Sequence, residues 1–319
     1  MSLSWTRGLI AAAALSAAFV ATTAQAQTLI RDTEIEETLR DYATPIYTAA
    51  GLNERDVRTF VLGDRSINAF VTQGQNVFLH TGLIMEADNP NQLKGVIAHE
   101  AGHIAGGHLA RSDDAIRSAM VPAYVTIALG LLALASGAGD AGAALLASSQ
   151  QFALLSFLRF SQVQESSADQ AAVGYLETTG QSPRGLLDFF DTFRYQEVMS
   201  EARRDPWFRS HPLSRDRIEA LRKRVAQSPY IDRVDSPEDM AEFAMMQAKI
   251  QGFLYAPQRT FQKYPPSDTS LPARYARAVA AFRTPDVTTA VAETRALIAE
   301  QPDNPYFQEL LGQILCERG

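Results

Sequence analysis

Cysteine is almost absent from this chain: Cys316 is the only one in 319 residues. A single thiol excludes an internal disulfide framework, so an oxidising compartment is permitted without being exploited. Basic charge is also in short supply, with 29 Lys and Arg against 36 Asp and Glu and a net charge of −7. Nucleic-acid binding demands clustered cations, and this balance argues against it. No P-loop, dinucleotide glycine fingerprint or G-x-S-x-G elbow occurs, which removes phosphate-cradle, Rossmann and serine-hydrolase readings. The first apolar run, residues 8–20, is short for a membrane span of about 20 residues.

That first run instead reads as an export signal. Arg7 precedes it, and Ala24-Gln25-Ala26 offers an A-x-A cleavage site, giving a leader over residues 1–26. The residue directly after the cleavage point is Gln27, not a cysteine, which argues against a lipid-anchored N-terminus. The leader carries one Arg and no acid, so the mature chain is one charge more negative. Export with neither disulfides nor a lipid anchor points to a Gram-negative periplasm.

His99-Glu100-Ala101-Gly102-His103 is the most informative stretch, an H-E-x-x-H motif. On a helix the two histidines stand about one turn apart on one face, close enough to share a metal ion, with Glu100 placed to reach a metal-bound water. The preceding Asn89-Pro90-Asn91-Gln92 predicts a helix start: Asn89 caps, Pro90 suits the first position and Gln92 completes a capping box. Leu93, Val96, Ile97 and Ile104 supply an apolar face. Gly95, Ala98, Gly102, Ala105 and Gly106 are small, and glycine costs a helix about 1 kcal/mol each, so close approach of another element is expected. His108 would fall about 140° from His103 around a continuing helix and reads as a polar residue near its end, not a ligand.

Catalytic zinc usually takes three protein ligands and keeps a fourth position for water. Glu165 is the best third candidate, with Asp169 four residues on, placed to orient a ligand histidine through its second ring nitrogen. In Ser210-His211-Pro212-Leu213, with Arg215 and Arg217 beyond, the His-Pro step holds His211 outside a helix. Either His211 or Arg217 is then a candidate to stabilise the oxyanion, or His211 closes the fourth metal position in a resting state.

Together these segments resemble the zinc peptidases of the CAAX prenyl protease type 1 and HtpX heat-shock protease group, and within it the periplasmic branch that bears C-terminal tetratricopeptide repeats. The matching positions are His99, Glu100, His103, then Glu165 with Ala168-Asp169, then His211-Pro212 and Arg217-Ile218, over about residues 30–225. An upstream strand-and-glycine segment, from Ile67 to Phe70 and from Val77 to Gly82, also matches. The resemblance implies one Zn2+ per chain on His99, His103 and Glu165, with Glu100 as base. It also implies misfolded or stalled envelope proteins as substrates, outer-membrane barrels among them. One departure stands out: Ser161-Gln162 replaces the group's usual Ser-Arg ahead of the glutamate ligand, and Arg159 is the nearest substitute.

The remaining sequence sets the organisation. Ile35, Leu39, Tyr42 and Ile46 predict an amphipathic helix, followed by two short strands around Gly74-Gln75. The strand just upstream of the metal helix is where an extended substrate could add by backbone pairing. Residues 120–158 hold one charge, Asp140, and read either as a buried helical hairpin or as an apolar surface that covers the cleft or touches a membrane. From 236 onward helices are expected over 237–253, 273–282, 287–299 and 305 to the end; the last three fit a tetratricopeptide register of 34 residues. That register ends on an unmated helix, so the natural protein is expected to continue.

The expected organisation is thus a leader (1–26), a mainly α protease domain with a small sheet, of gluzincin-like α+β type (27–232), and a tetratricopeptide-like helical solenoid (233–319). The expected function is an exported zinc endopeptidase for protein and peptide substrates, with outer-membrane assembly machinery as a partner of the repeats and peripheral membrane contact through 120–158. The rival is a periplasmic chaperone or adaptor with a silent or gated metal site. An integral-membrane protease is the second rival, and no nucleic-acid partner is expected.

Overall fold

The computed structural model describes residues 28–318; the leader over 1–26 lies outside the described residues. Strand β1 (Leu29–Ile30) leads into helix α1 (Thr33–Ala49), which Asp32 caps by accepting a hydrogen bond from Ile35 N at 3.1 Å. Ile35, Leu39, Tyr42 and Ile46 form its buried face. Strands β2 (Arg58–Leu62), β3 (Ala69–Thr72) and β4 (Asn76–His80) follow, then α2 (Thr81–Glu86) and the metal-motif helix α3 (Pro90–Ala105). The sheet order is β1-β2-β4-β3, with β2 parallel to β4 and the other pairs antiparallel.

This order corrects one expectation. β4, the last strand before the metal helix and separated from it by α2, is paired on both sides, by β2 and by β3. The free edge on that side of the sheet is β3, so added backbone pairing belongs to residues 69–72.

A long helical pair comes next, α4 (Ser112–Ala135) and α5 (Gly139–Thr178). Then come α6 (Arg184–Phe193), α7 (Pro206–Ser210) and α8 (Arg215–Val225). The expectation of a buried hairpin over 120–158 is not met. A helical hairpin forms, but Tyr124, Leu131, Leu132 and Leu154 are all more than half exposed. Only the far half of α5, around Ala168, Ala172, Val173 and Leu176, enters the core.

α3 runs through the middle of that core. Its glycines permit the close approach that its composition suggested. A Cβ at Gly102 would lie 2.9 Å from the carbonyl of Ala168 on α5, and one at Gly95 would lie 2.8 Å from Leu186 N on α6. The first contact seats the motif helix directly on α5, the helix that carries Glu165, and the second seats it on α6.

Helices α9 (Pro237–Leu254), α10 (Pro257–Lys263), α11 (Leu271–Phe282), α12 (Val287–Glu300) and α13 (Pro305–Arg318) complete the fold. α10 was not anticipated, because seven residues between prolines are too few to display helical periodicity. α9 is shared between two cores. Phe243, Met246 and Ile250 face the first, with the sheet and α3, while Met245 and Ala248 face the second, with α11, α12 and α13. Buried polar links reinforce the join: Lys94 Nζ lies 2.7 Å from Asp239, and Lys249 Nζ lies 2.8 Å from Asp32 and 3.0 Å from Glu34.

Candidate metal centre

The site begins with the capping of α3. Asn89 Oδ1 accepts from Gln92 N at 3.0 Å, and Gln92 Oε1 accepts from Asp88 N at 3.0 Å. The helix therefore starts in a fixed register, and His99, Glu100 and His103 project toward α5, α7 and the turn after it. His99 and Glu100 are fully buried.

Four ring and carboxylate groups converge. His99 Nε2 lies 3.1 Å from His103 Nε2, 3.3 Å from His211 Nδ1 and 3.5 Å from Glu165 Oε2. Glu165 Oε1 lies 3.4 Å from His103 Nε2, and Glu165 Oε2 lies 3.0 Å from His211 Nδ1. Ligands at about 2.0–2.2 Å from a tetrahedral ion lie roughly 3.3–3.6 Å apart, so these spacings are nearly the edges of a coordination tetrahedron. A set of three imidazoles and one carboxylate suits zinc. Among the described residues His99, His103, Glu165 and His211 form the one cluster able to hold a metal ion. Larger hollows exist, including one of about 720 Å³ between α1 and β2, but none of these donors lines it.

Glu100 stands beside the cluster. Trp207 Nε1 donates to Glu100 Oε1 at 3.4 Å, and Glu100 Oε1 is 3.6 Å from His211 Nε2. Glu100 Oε2 is buried without a hydrogen-bond partner among the described residues. A buried, unpartnered carboxylate oxygen on a residue beside the donor cluster fits a base that grips a water or a substrate proton.

Behind the donors lies a carboxylate–arginine layer. Asp169 Oδ1 lies 3.0 Å from His99 Nδ1, at an angle short of a well-formed hydrogen bond. Arg217 reaches Asp169 through Nε at 2.6 Å and Nη2 at 2.9 Å, and Glu165 Oε2 through Nη1 at 2.9 Å. Nη1 also donates to Pro212 O at 3.1 Å, and the guanidinium rests on the Phe190 ring. This buried cation supplies the positive charge that Gln162 does not. Arg159, the nearest substitute along the helix, is exposed.

The electrostatics follow from burial opposed by pairing. Burial disfavours a charge on His99, yet Asp169 and Glu165 outweigh it and push the imidazole up to about 9. Burial likewise opposes the Glu165 and Asp169 charges. His211 and Arg217, however, hold Glu165 well below the carboxylate range, and Arg217 lowers Asp169. Burial and the neighbouring His99 drive His103 down. Ionised Glu165 and Asp169 thus face the histidines, with His99 and the Arg217 guanidinium set against their charge.

Two contributors were missed from sequence. His108 Nδ1 lies 2.9 Å from His103 Nδ1, on the ring nitrogen opposite the donor cluster. The angular argument against His108 assumed a continuing helix, but α3 ends at Ala105. Gly107, at φ +61°, turns the chain back, and His108 N→His103 O and Gly107 N→Ile104 O close a Schellman motif. Gly106-Gly107 was the available signal. Trp207 is the second, wholly buried, 5.1 Å from the His211 ring and touching Glu100. It comes from a distant segment with no spacing to reveal it.

Comparison with known proteins agrees with this geometry. Peptidase family M48 matches residues 29–225. The chain is 28% identical over 295 residues to the beta-barrel assembly-enhancing protease of Escherichia coli K12, covering 90% of this chain and 59% of that protein. It is 26% identical over 301 residues to the protein of the same name from Yersinia pestis, covering 86% and 58%. Metalloprotease LoiP of Escherichia coli K12 is 31% identical over 190 residues, covering 57% of this chain and 69% of LoiP. The chain thus spans about three fifths of the length of the assembly-enhancing proteases it matches.

Proposed function

Because the chain belongs to peptidase family M48, we propose that it is a zinc endopeptidase whose metal is held by His99, His103 and Glu165. The observation that carries this reading is the near-tetrahedral spacing of buried donors beside a buried carboxylate without a partner, Glu100 Oε2. Zinc, when bound, supplies a water of pKa about 7 and polarises the scissile carbonyl. Glu100 takes the proton of the attacking water and returns it to the leaving amine. Asp169 sets the His99 ring through Nδ1, and Arg217 keeps the adjoining Glu165 and Asp169 charges together. With Arg217 engaged on those carboxylates and Pro212 O, the oxyanion role falls to His211.

A gated site is favoured by one further observation. His211 Nδ1 lies within 3.3 Å of both His99 and Glu165, where it completes the donor set in place of water. His211 would therefore close the site at rest and act on substrate only after moving aside.

The relatives named for β-barrel assembly suggest a periplasmic role in outer-membrane protein quality control, with misfolded or stalled envelope proteins as substrates. α11, α12 and α13, read as tetratricopeptide-like helices, would dock assembly machinery. Metal removal tests the chemistry. Incubation with a chelator should abolish casein cleavage, and stoichiometric zinc should restore it; cleavage indifferent to chelation would refute the zinc peptidase.

A further inference from the structure

The longest apolar stretches of the chain are left uncovered. Between Arg117 and Arg159 the only charged side chain is Asp140, at the turn joining α4 to α5. α5 is long and apolar enough to cross a membrane, with a mean hydropathy of 1.3 in a window that is 12% buried, and Met120–Ala135 of α4 is a shorter apolar helix.

The distribution of exposure identifies what covers them. Leu129, Leu131, Leu132 and Leu134 are each 42–66% exposed. At about 100° per residue they spread around α4 with one gap of roughly 140°. Gly130 lies in that gap, and there α5 packs so closely that an added Cβ would sit 2.9 Å from Leu146 Cγ. Over residues 129–134, every side of α4 except the α5 contact is therefore apolar and open. A protein partner covers one face, whereas lipid surrounds a hairpin.

Length and charge agree with lipid. Residues 141–158 extend about 27 Å as helix, close to the roughly 30 Å hydrocarbon core. Beyond the other end of the apolar stretch, Arg111, Arg117 and Arg159 are exposed and flank it on both helices, as residues at anionic headgroups would, with Asp114 3.9 Å from Arg117.

We propose that the α4–α5 hairpin is embedded in a lipid bilayer. Glu165 lies seven residues beyond Leu158 on the same helix, about 10 Å along its axis, so embedding sets the metal centre at the membrane surface. A groove of about 280 Å³ runs between them, lined by Leu158, Gln162, Glu165, Pro212 and Arg217. Resting on the peptidase reading, the substrates would be polypeptides lying on or emerging from the bilayer.

The test is flotation of the full chain with vesicles of phosphatidylethanolamine and phosphatidylglycerol, alongside sedimentation without lipid. Wild-type protein floats with the vesicles. Leu132→Asp and Leu155→Asp, at positions already exposed, should each weaken binding on the order of 100-fold while leaving cleavage of a soluble peptide intact. Val198→Asp, at a position 89% exposed away from the hairpin, should bind like wild type. Wild-type protein that stays out of the vesicle fraction overturns the proposal. So does a Leu132→Asp chain that binds normally, or one that merely converts a dimer to a monomer, which would make a second copy the occupant. Glu100→Gln should float unchanged. Flotation without hydrolysis would therefore sink only the peptidase, and hydrolysis without flotation only the anchor.

Discussion

His99 and His103 sit on one helix face because four residues make just over one turn, and Glu165 and Asp169 repeat that spacing on the helix packed beside them. Such local geometry is readable from the chain. His108 was not, because its contact with His103 depends on a turn that ends the helix, and angular arithmetic carried past Ala105 misplaced it. A ligand ring whose second nitrogen is held binds metal more tightly, and losing that support typically costs 10–100-fold in affinity. We therefore expect His108→Leu to weaken zinc binding about 10-fold or more in a competition titration with a chromogenic chelator. His108→Asn, which keeps an acceptor near the Nδ1 position, should recover most of it. Equal zinc affinity in both variants would leave His108 with packing alone. The same lesson applies to Arg217. Its neighbours Asp169 and Glu165 lie some fifty residues away, so a missing charge at Gln162 looked like a gap when a distant arginine fills it.

α5 shows how far element-level patterns can be trusted. Its helical character and apolar composition were legible over residues 120–158, yet whether that surface was buried was not, since an apolar side chain looks the same facing a core or a bilayer. The sheet gave a similar difficulty: strands around Gly74-Gln75 were visible, but β1 and β2 were not. Pairing order, which makes β3 the edge, is a long-range property. α5 is tied at its far end to α8 by a paired contact of Arg224 with Glu177. The Arg224 hydrogen bonds hold the Glu177 carboxyl below its usual range. A lowered folded-state pKa adds stability above the ordinary carboxylate range and loses it as pH falls through the lowered value. Glu177→Gln should therefore lower stability slightly at pH 7, by less than about 1 kcal/mol for a part-buried pair at the surface, and not at all at pH 2, as read from Tm. A deficit unchanged at pH 2 would mean that packing, not charge, is lost.

At the scale of the molecule the peptidase core and the C-terminal helices share α9. The boundary expected near 233 falls in the stretch between α8 and α9. The structure then places α9 against both cores, because its residues alternate between two apolar faces. Fully buried Met246 belongs to the core that holds the metal helix. Met246→Ala should cost about 2–5 kcal/mol, and thermal unfolding should still be a single transition reported together by both parts of the chain. Two separated transitions would mean that the parts fold independently. The shared helix ties α11, α12 and α13 to the core that holds the metal-motif helix.

The proposed function hangs on a metal-dependent hydrolysis in which Glu100 moves the proton. The direct measurement is zinc content and peptide cleavage, made side by side on the wild-type chain and on Glu100→Gln. The account predicts one zinc per chain in both, with cleavage reduced roughly 10²–10⁴-fold in the variant. Zinc in both with equal cleavage would contradict the role of Glu100, and cleavage absent from both with equal support of envelope assembly would leave a chaperone with a silent metal site.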